Sequence, residues 1–118
     1  MGATNYKELD IWKRAIDLCE QVYKVTKDFP KDELYGLVVQ MRRAAVSVGA
    51  NIAEGFARRS NPDFKRFLTI ARGSLLELET HIEIARRLEF ITLEKCAGLS
   101  EETEIISKMI TRFSQNMR

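Results

Sequence analysis

Gln40, Arg43, Ser47, Asn51 and Glu54 recur at steps of three and four residues within QMRRAAVSVGANIAEG, so a single helix face would carry five hydrogen-bonding side chains. Further along, Glu79 and Glu83 also share a helix face, and a pair of carboxylates at that spacing is the least that general acid–base chemistry requires. Glu77 and His81 stand four apart, as side chains on adjacent turns do when they grip one metal ion. A cationic set, Arg58, Arg59, Lys65 and Arg66, suits phosphates or carboxylates.

Each chemical reading competes with a structural one. A carboxylate-bridged di-iron bundle needs Glu-x-x-His on two helices. His81 is the one histidine, and Leu78 stands where its glutamate would be. A lone histidine on a charged helix more often serves packing or surface, so no metal site is expected. No nucleophile-plus-base pair, phosphate-cradling glycine loop or zinc-ligand cluster occurs. Gln40, Arg43, Ser47, Asn51 and Glu54, joined by Arg72 and Glu79 of a later segment, have the donor and acceptor mix of a self-satisfying network that fixes helix register. Burying such groups unpaired costs about 1–3 kcal/mol each, so the expectation is that they are sequestered and mutually paired. The chain is therefore expected to have no catalytic residues, no cofactor and no small-molecule substrate. A small enzyme built on Glu54, Glu79 or Glu83 would need buried carboxyls with raised pKa values.

Four amphipathic segments must position these groups. The first, about 9–27, spaces Leu9, Trp12, Ile16, Cys19, Tyr23 and Thr26 by threes and fours, with Val22 and Val25 widening the stripe. Phe29-Pro30 ends it, because proline biases its predecessor away from helical angles. The second, about 32–56, carries Leu34, Leu37, Met41, Ala44, Val48, Ile52 and Phe56 on one continuous helix. Gly36 and Gly49 are tolerable there if their missing side chains let another helix come close. The third, about 62–88, follows Asn61-Pro62-Asp63, read as N-cap, first-turn proline and early acid. It has the cleanest heptad, Phe64, Leu68, Ala71, Leu75, Leu78, Ile82 and Ala85, with Gly73 and Ser74 placed opposite the small residues of the second helix. The fourth, about 93–115, starts near Thr92 or restarts at Ser100 and presents Leu99, Ile106, Met109 or Ile110, Phe113 and Met117. With no period-two pattern, the fold class is all-α, an antiparallel up-down-up-down four-helix bundle.

A chain of 118 residues, 45% hydrophobic and 31% charged, fits one domain over 1–118 and can bury a core without metal or disulfide. The N-terminus lacks a signal-peptide core and the myristoylation pattern, and no apolar run is long enough to span a bilayer, so a soluble cytoplasmic protein without membrane contact is expected. Cys19 and Cys96 lie far apart and read as buried free thiols. Net charge is +2 but uneven. The window 42–72 holds seven basic and two acidic residues, a net +5, which leaves −3 for the remainder. That asymmetry marks a candidate anion-binding region.

Leu9 with Trp12, Phe29-Pro30, Gly36-Leu37, the run Gln40 to Ser47, the motif NIAEG at 51–55, and Phe67-Leu68 with ARGSLLELE at 71–79 together resemble the 23S rRNA intervening-sequence protein family. This bacterial four-helix-bundle family is known from open reading frames within large-subunit ribosomal RNA genes. The resemblance spans roughly residues 6–88. It implies a left-handed antiparallel bundle that assembles into a ring, a homopentamer, with no known enzyme activity. The accessory variability proteins of diversity-generating retroelements look similar in fold, as basic pentameric barrels that bind RNA and a reverse transcriptase.

The leading expectation is a non-enzymatic homo-oligomer whose Arg58, Arg59, Lys65 and Arg66 contact RNA or another acidic partner. One copy offers few charges, so useful affinity for a polyanion depends on a symmetric oligomer multiplying them. The alternative is a protein-only scaffold using Ile11, Leu18, Val39, Val46, Ile70 and Ile84 as a second apolar stripe outside the main seams.

Overall fold

A computed structural model describes residues 2–117, which form an elongated body of 45 × 23 × 20 Å. Four helices, α1 (Asp10–Thr26), α2 (Val39–Ala57), α3 (Asn61–Arg87) and α4 (Leu93–Gln115), pack around one core, and no strand occurs among the described residues. Side-chain contacts fix the order and direction. Arg42 reaches Thr26 from α2 to α1, Ser47 meets Ser74 between α2 and α3, and Thr103 meets Glu79 between α3 and α4. Arg14 pairs with Glu102 at 3.0 Å, so α4 returns beside α1 and closes an antiparallel up-down-up-down bundle.

The heptad of α3 is seated as its spacing predicts. Phe64, Leu68, Ala71, Leu75, Leu78, Ile82 and Ala85 are all buried, and Phe67 joins them. On α2 the same holds for Met41, Ala44, Val48 and Ile52, with Phe56 half-buried; before it, Leu34 is exposed and Leu37 half-buried.

On α1 the buried stripe is rotated from the expected one. Leu9, Ile11, Ala15, Leu18, Val22 and Thr26 face the core, whereas Ile16 and Tyr23 are exposed and Trp12 and Cys19 half-buried. The reason is the small side chain of Ala15, which admits α2 at Gly49. A Cβ on Gly49 would lie 3.8 Å from that of Ala15 and 2.9 Å from Ile16 Cδ1. Trp12 packs instead edge-on against Tyr6, with ring centroids 5.3 Å apart. Ile11 and Leu18 are thereby core residues and not members of an outer stripe.

The second segment is not one continuous helix. A 3-10 turn at Lys31–Glu33 leads into a π-helical stretch at Leu34–Val38 before α2 begins. Gly36 departs from helical angles there (φ −108°, ψ −110°), and the Glu33 carboxylate accepts from Leu37 N at 3.1 Å, which satisfies an amide the kink would strand. The α3 cap also moves by one residue: Ser60, not Asn61, is extended and accepts from Asp63 N. Thr92 caps α4 through Lys95 N, and the helix runs unbroken past Ser100. Cys19 and Cys96 are free thiols, Cys96 buried and Cys19 half-buried with its pKa raised by that burial. Among the described residues no helix is long and apolar enough to cross a membrane.

Candidate nucleic-acid interface

The cationic cluster sits on the α2–α3 turn, and the geometry of that turn begins with a glycine. Gly55, the last residue of NIAEG, packs so tightly on α3 that a Cβ there would lie 2.6 Å from Phe67 Cβ and 3.0 Å from Phe64 Cδ1. Close approach at this point lets the chain reverse within Arg58, Arg59 and Ser60. Arg59 takes the left-handed conformation, φ 62°, that terminates many helices.

Phe67, 7% exposed, becomes a platform. The guanidinium carbons of Arg58 and Arg66 lie 5.1 and 4.9 Å from its ring centroid, one reaching from α2 and the other from its own helix. Arg58 also pairs with Glu54 at 3.3 Å and Arg66 with Asp63 at 3.5 Å, all on solvent-facing side chains. Exposed pairs of this kind contribute only about 0–1 kcal/mol, so an incoming phosphate can replace the carboxylates at little cost. Arg59 and Lys65 have no ion-pair partner among the described residues and leave the turn with a net positive charge. Sequence spacing pointed to the four cations. It did not point to Phe67, whose role depends on α2 and α3 meeting at Gly55.

The single sequestered network expected from the polar stripe does not form. Ser47 and Ser74 hydroxyls lie 2.8 Å apart, and the Asn51 amide donates to Ser47 O at 2.8 Å and Ser47 Oγ at 2.9 Å, a compact half-buried cluster between α2 and α3. Glu79 belongs to a separate contact, accepting from the fully buried Thr103 hydroxyl at 3.0 Å. Glu54 is held by Arg58 at the surface. Gln40, Arg43 and Arg72 are exposed, without a side-chain hydrogen bond or ion pair among the described residues. Water solvates these long side chains outside the seam, so the desolvation cost that motivated the network never arises.

Arg42, counted in the basic window, is spent on structure. Its Nε donates to Thr26 Oγ1 at 3.0 Å, and its guanidinium covers the Tyr23 ring at 4.6 Å. Glu83 is gripped by Arg86 at 2.6 Å and Arg87 at 2.9 Å, which hold its carboxyl down to about 2, the opposite direction from a general acid's. Glu77 and His81 find no third ligand: among the described residues no group of three His, Cys, Asp or Glu side chains gathers in metal-binding geometry.

The molecule is an all-α antiparallel four-helix bundle with a basic α2–α3 turn. The profile of the family described as 23S rRNA-intervening sequence protein matches residues 7–112, and the chain belongs to that family. A solved structure from Bacteroides thetaiotaomicron, described as a protein with unknown function from the S23 ribosomal protein family, has the same fold. It superposes with a TM-score of 0.80 at 24% identity, covering 90% of this chain and 99% of that one. No curated protein matches this sequence.

Proposed function

We propose that this protein is a non-enzymatic, homo-oligomeric interaction module whose α2–α3 turn contacts RNA. The observation that carries this reading is the Phe67 platform. Two guanidiniums are held over one ring by exposed, replaceable ion pairs, with Arg59 and Lys65 uncompensated beside them. Such a surface offers planar donors and charge to a phosphate backbone without specifying sequence.

Assembly supplies the multiplicity a single turn lacks. Val46 and Ile70 are 47% and 43% exposed on either side of the Ser47–Asn51–Ser74 cluster, and nothing lies within 4 Å of where a Gly73 Cβ would be. This α2–α3 face is the one we assign to subunit contact in a ring, with a pentamer as the resemblance implies. A protein-only scaffold is the second reading, favoured by the same exposed apolar side chains together with Ile84.

RNA binding measured across salt tests the first reading. Arg58→Glu/Arg59→Glu/Lys65→Glu is expected to flatten the slope of log affinity against log salt by about 2, at roughly 0.7 per phosphate contact on a single strand. Wild-type retention no stronger than the variant's, with no salt slope, removes RNA from the account. Light scattering is expected to give five times the 13.6 kDa chain mass, and a strict monomer at micromolar concentration overturns the assembly in both readings.

A further inference from the structure

Between α3 and α4 lies a second cationic feature that neither the motifs nor the family description point to. A groove of about 340 Å³ is lined by Arg72, Ser107, Lys108, Thr111, Arg112 and Gln115. Every lining residue carries a polar group, three are cations from two helices, and none is an acid. Lys108 pairs with Glu104 one turn away at 3.1 Å, with both side chains well exposed. The guanidiniums of Arg72 and Arg112 have no hydrogen-bond or ion-pair partner among the described residues. Thr111 returns its proton to Ser107 O at 3.0 Å, leaving the Ser107 hydroxyl and the Gln115 amide as the uncharged donors.

Arg72 and Arg112, which no carboxylate pairs among the described residues, repel one another in this groove, and a multivalent anion between them turns that repulsion into attraction. Lys108 and Arg112 are one turn apart, about 6 Å along α4, and Arg72 faces them from α3. Cations strung along an axis in this way suit successive phosphates better than one compact anion. Lys65 lies one heptad before Arg72 on the same face of α3 and prolongs the line. A surface groove of about 340 Å³ has room for one sugar-phosphate strand, and a duplex reaches it with only one of its two backbones.

We infer that the α3–α4 groove binds the backbone phosphates of a single-stranded polynucleotide, with Arg72, Lys108 and Arg112 as the charged ligands and Ser107 and Gln115 as supporting donors. The inference rests on the proposed function for the class of partner and assigns the contact to different residues. Its test compares wild type, Arg72→Gln/Arg112→Gln, Arg72→Lys/Arg112→Lys and the Arg58→Glu/Arg59→Glu/Lys65→Glu variant. The probes are a short single-stranded RNA of mixed sequence, the same RNA annealed to its complement, and inorganic pyrophosphate.

The glutamine pair is expected to weaken single-strand binding about tenfold and to lower the salt slope by about 1.4, two contacts at roughly 0.7 each. The lysine pair should keep most of the affinity, the duplex should bind more weakly than the single strand, and thermal midpoints should stay nearly unchanged because neither arginine side chain makes a hydrogen bond or ion pair among the described residues. Wild-type affinity in the glutamine pair, with loss confined to the 58–59–65 variant, overturns the groove and leaves the α2–α3 turn as the RNA site. Pyrophosphate binding without RNA binding overturns the polynucleotide as ligand and, with it, the proposed function.

Discussion

Gly55→Ala and Gly73→Ala are the same chemical change made on facing helices, and the structure assigns them opposite signs. At Gly55 the new methyl would meet Phe67 Cβ at 2.6 Å, Phe64 Cδ1 at 3.0 Å and Phe64 O at 3.4 Å. A Cβ is the root of its side chain and cannot rotate aside, so α2 must withdraw from α3 by about 1 Å to recover ordinary contact, an overpacking cost near the upper end of about 1–3 kcal/mol. Alanine returns about 1 kcal/mol of helix propensity. The net expectation is a loss of about 2 kcal/mol, and a midpoint lower by about 8 °C at roughly 4 °C per kcal/mol for a domain of this size. At Gly73 no atom of the same chain lies within 4 Å, so within a single subunit the propensity term stands alone and favours alanine by about 1 kcal/mol. Urea unfolding followed by circular dichroism reads both, with an unchanged m-value showing that the unfolded state is not the cause. A Gly55→Ala protein as stable as wild type would refute the close-approach argument. A destabilised Gly73→Ala assembly would show that the open face beside Ile70 is filled by another copy.

Other substitutions probe separate contacts. Arg42→Ala removes the donor to Thr26 Oγ1 and the cover over Tyr23, and should cost about 1–1.5 kcal/mol by urea unfolding while leaving RNA affinity unchanged, a combination that separates it from Arg59. Thr92→Ala removes the side-chain cap from Lys95 N and should cost about 1 kcal/mol, with hydrogen exchange rising in the first turn of α4. Ser74→Ala leaves the Ser47 hydroxyl short of a partner and should cost about 1 kcal/mol, read in the same unfolding assay. The Glu83 carboxyl, held down by Arg86 first and Arg87 second, should titrate near 2 in an NMR pH series. Its folded value lies below the ordinary 4.5, so whatever stability it lends is present at neutral pH and disappears as pH falls from about 4.5 toward 2. Arg86→Gln should raise that midpoint, and a wild-type midpoint near 4.5 would contradict the pairing.

The heptad of α3 was legible because its apolar positions keep an unbroken alternation of four and three from Phe64 to Ala85, whereas Phe67, Ile70, Leu76 and Ile84 form no such continuous repeat. On α1 the pattern misled: Trp12, Ile16 and Tyr23 outweigh Ala15 in any hydrophobic reading, yet a bundle seam needs a small residue where helices cross closely. The π-helical stretch was hidden for a different reason. Gly36 and Leu37 fit an α-helical repeat, and only the Glu33 carboxylate's reach to Leu37 N makes the kink affordable. The polar stripe was correctly placed on one face of α2, but exposure depends on how far that face turns from its neighbours. A rotation of one residue, about 100°, separates buried Met41 from exposed Gln40, and spacing alone cannot supply it.

The two motifs that identify the family turn out to be two sides of one contact. Within NIAEG, Asn51 braces Ser47, Ile52 is fully buried and Gly55 receives Phe64 and Phe67. Within ARGSLLELE, Ala71, Leu75 and Leu78 are buried, Ser74 meets Ser47, and Glu79 ties α3 to Thr103 of α4. These residues are specified by packing and register. Arg59, Lys65 and Arg112 lie outside both motifs, and Arg72 is the one cation within them, exposed and without a side-chain hydrogen bond or ion pair among the described residues. A motif match in this family therefore reports how α2 and α3 are joined. Under the proposed function, binding depends on charges outside that packing, so relatives with both motifs intact but acids at positions 59, 65, 72 and 112 should fold alike and fail to retain RNA.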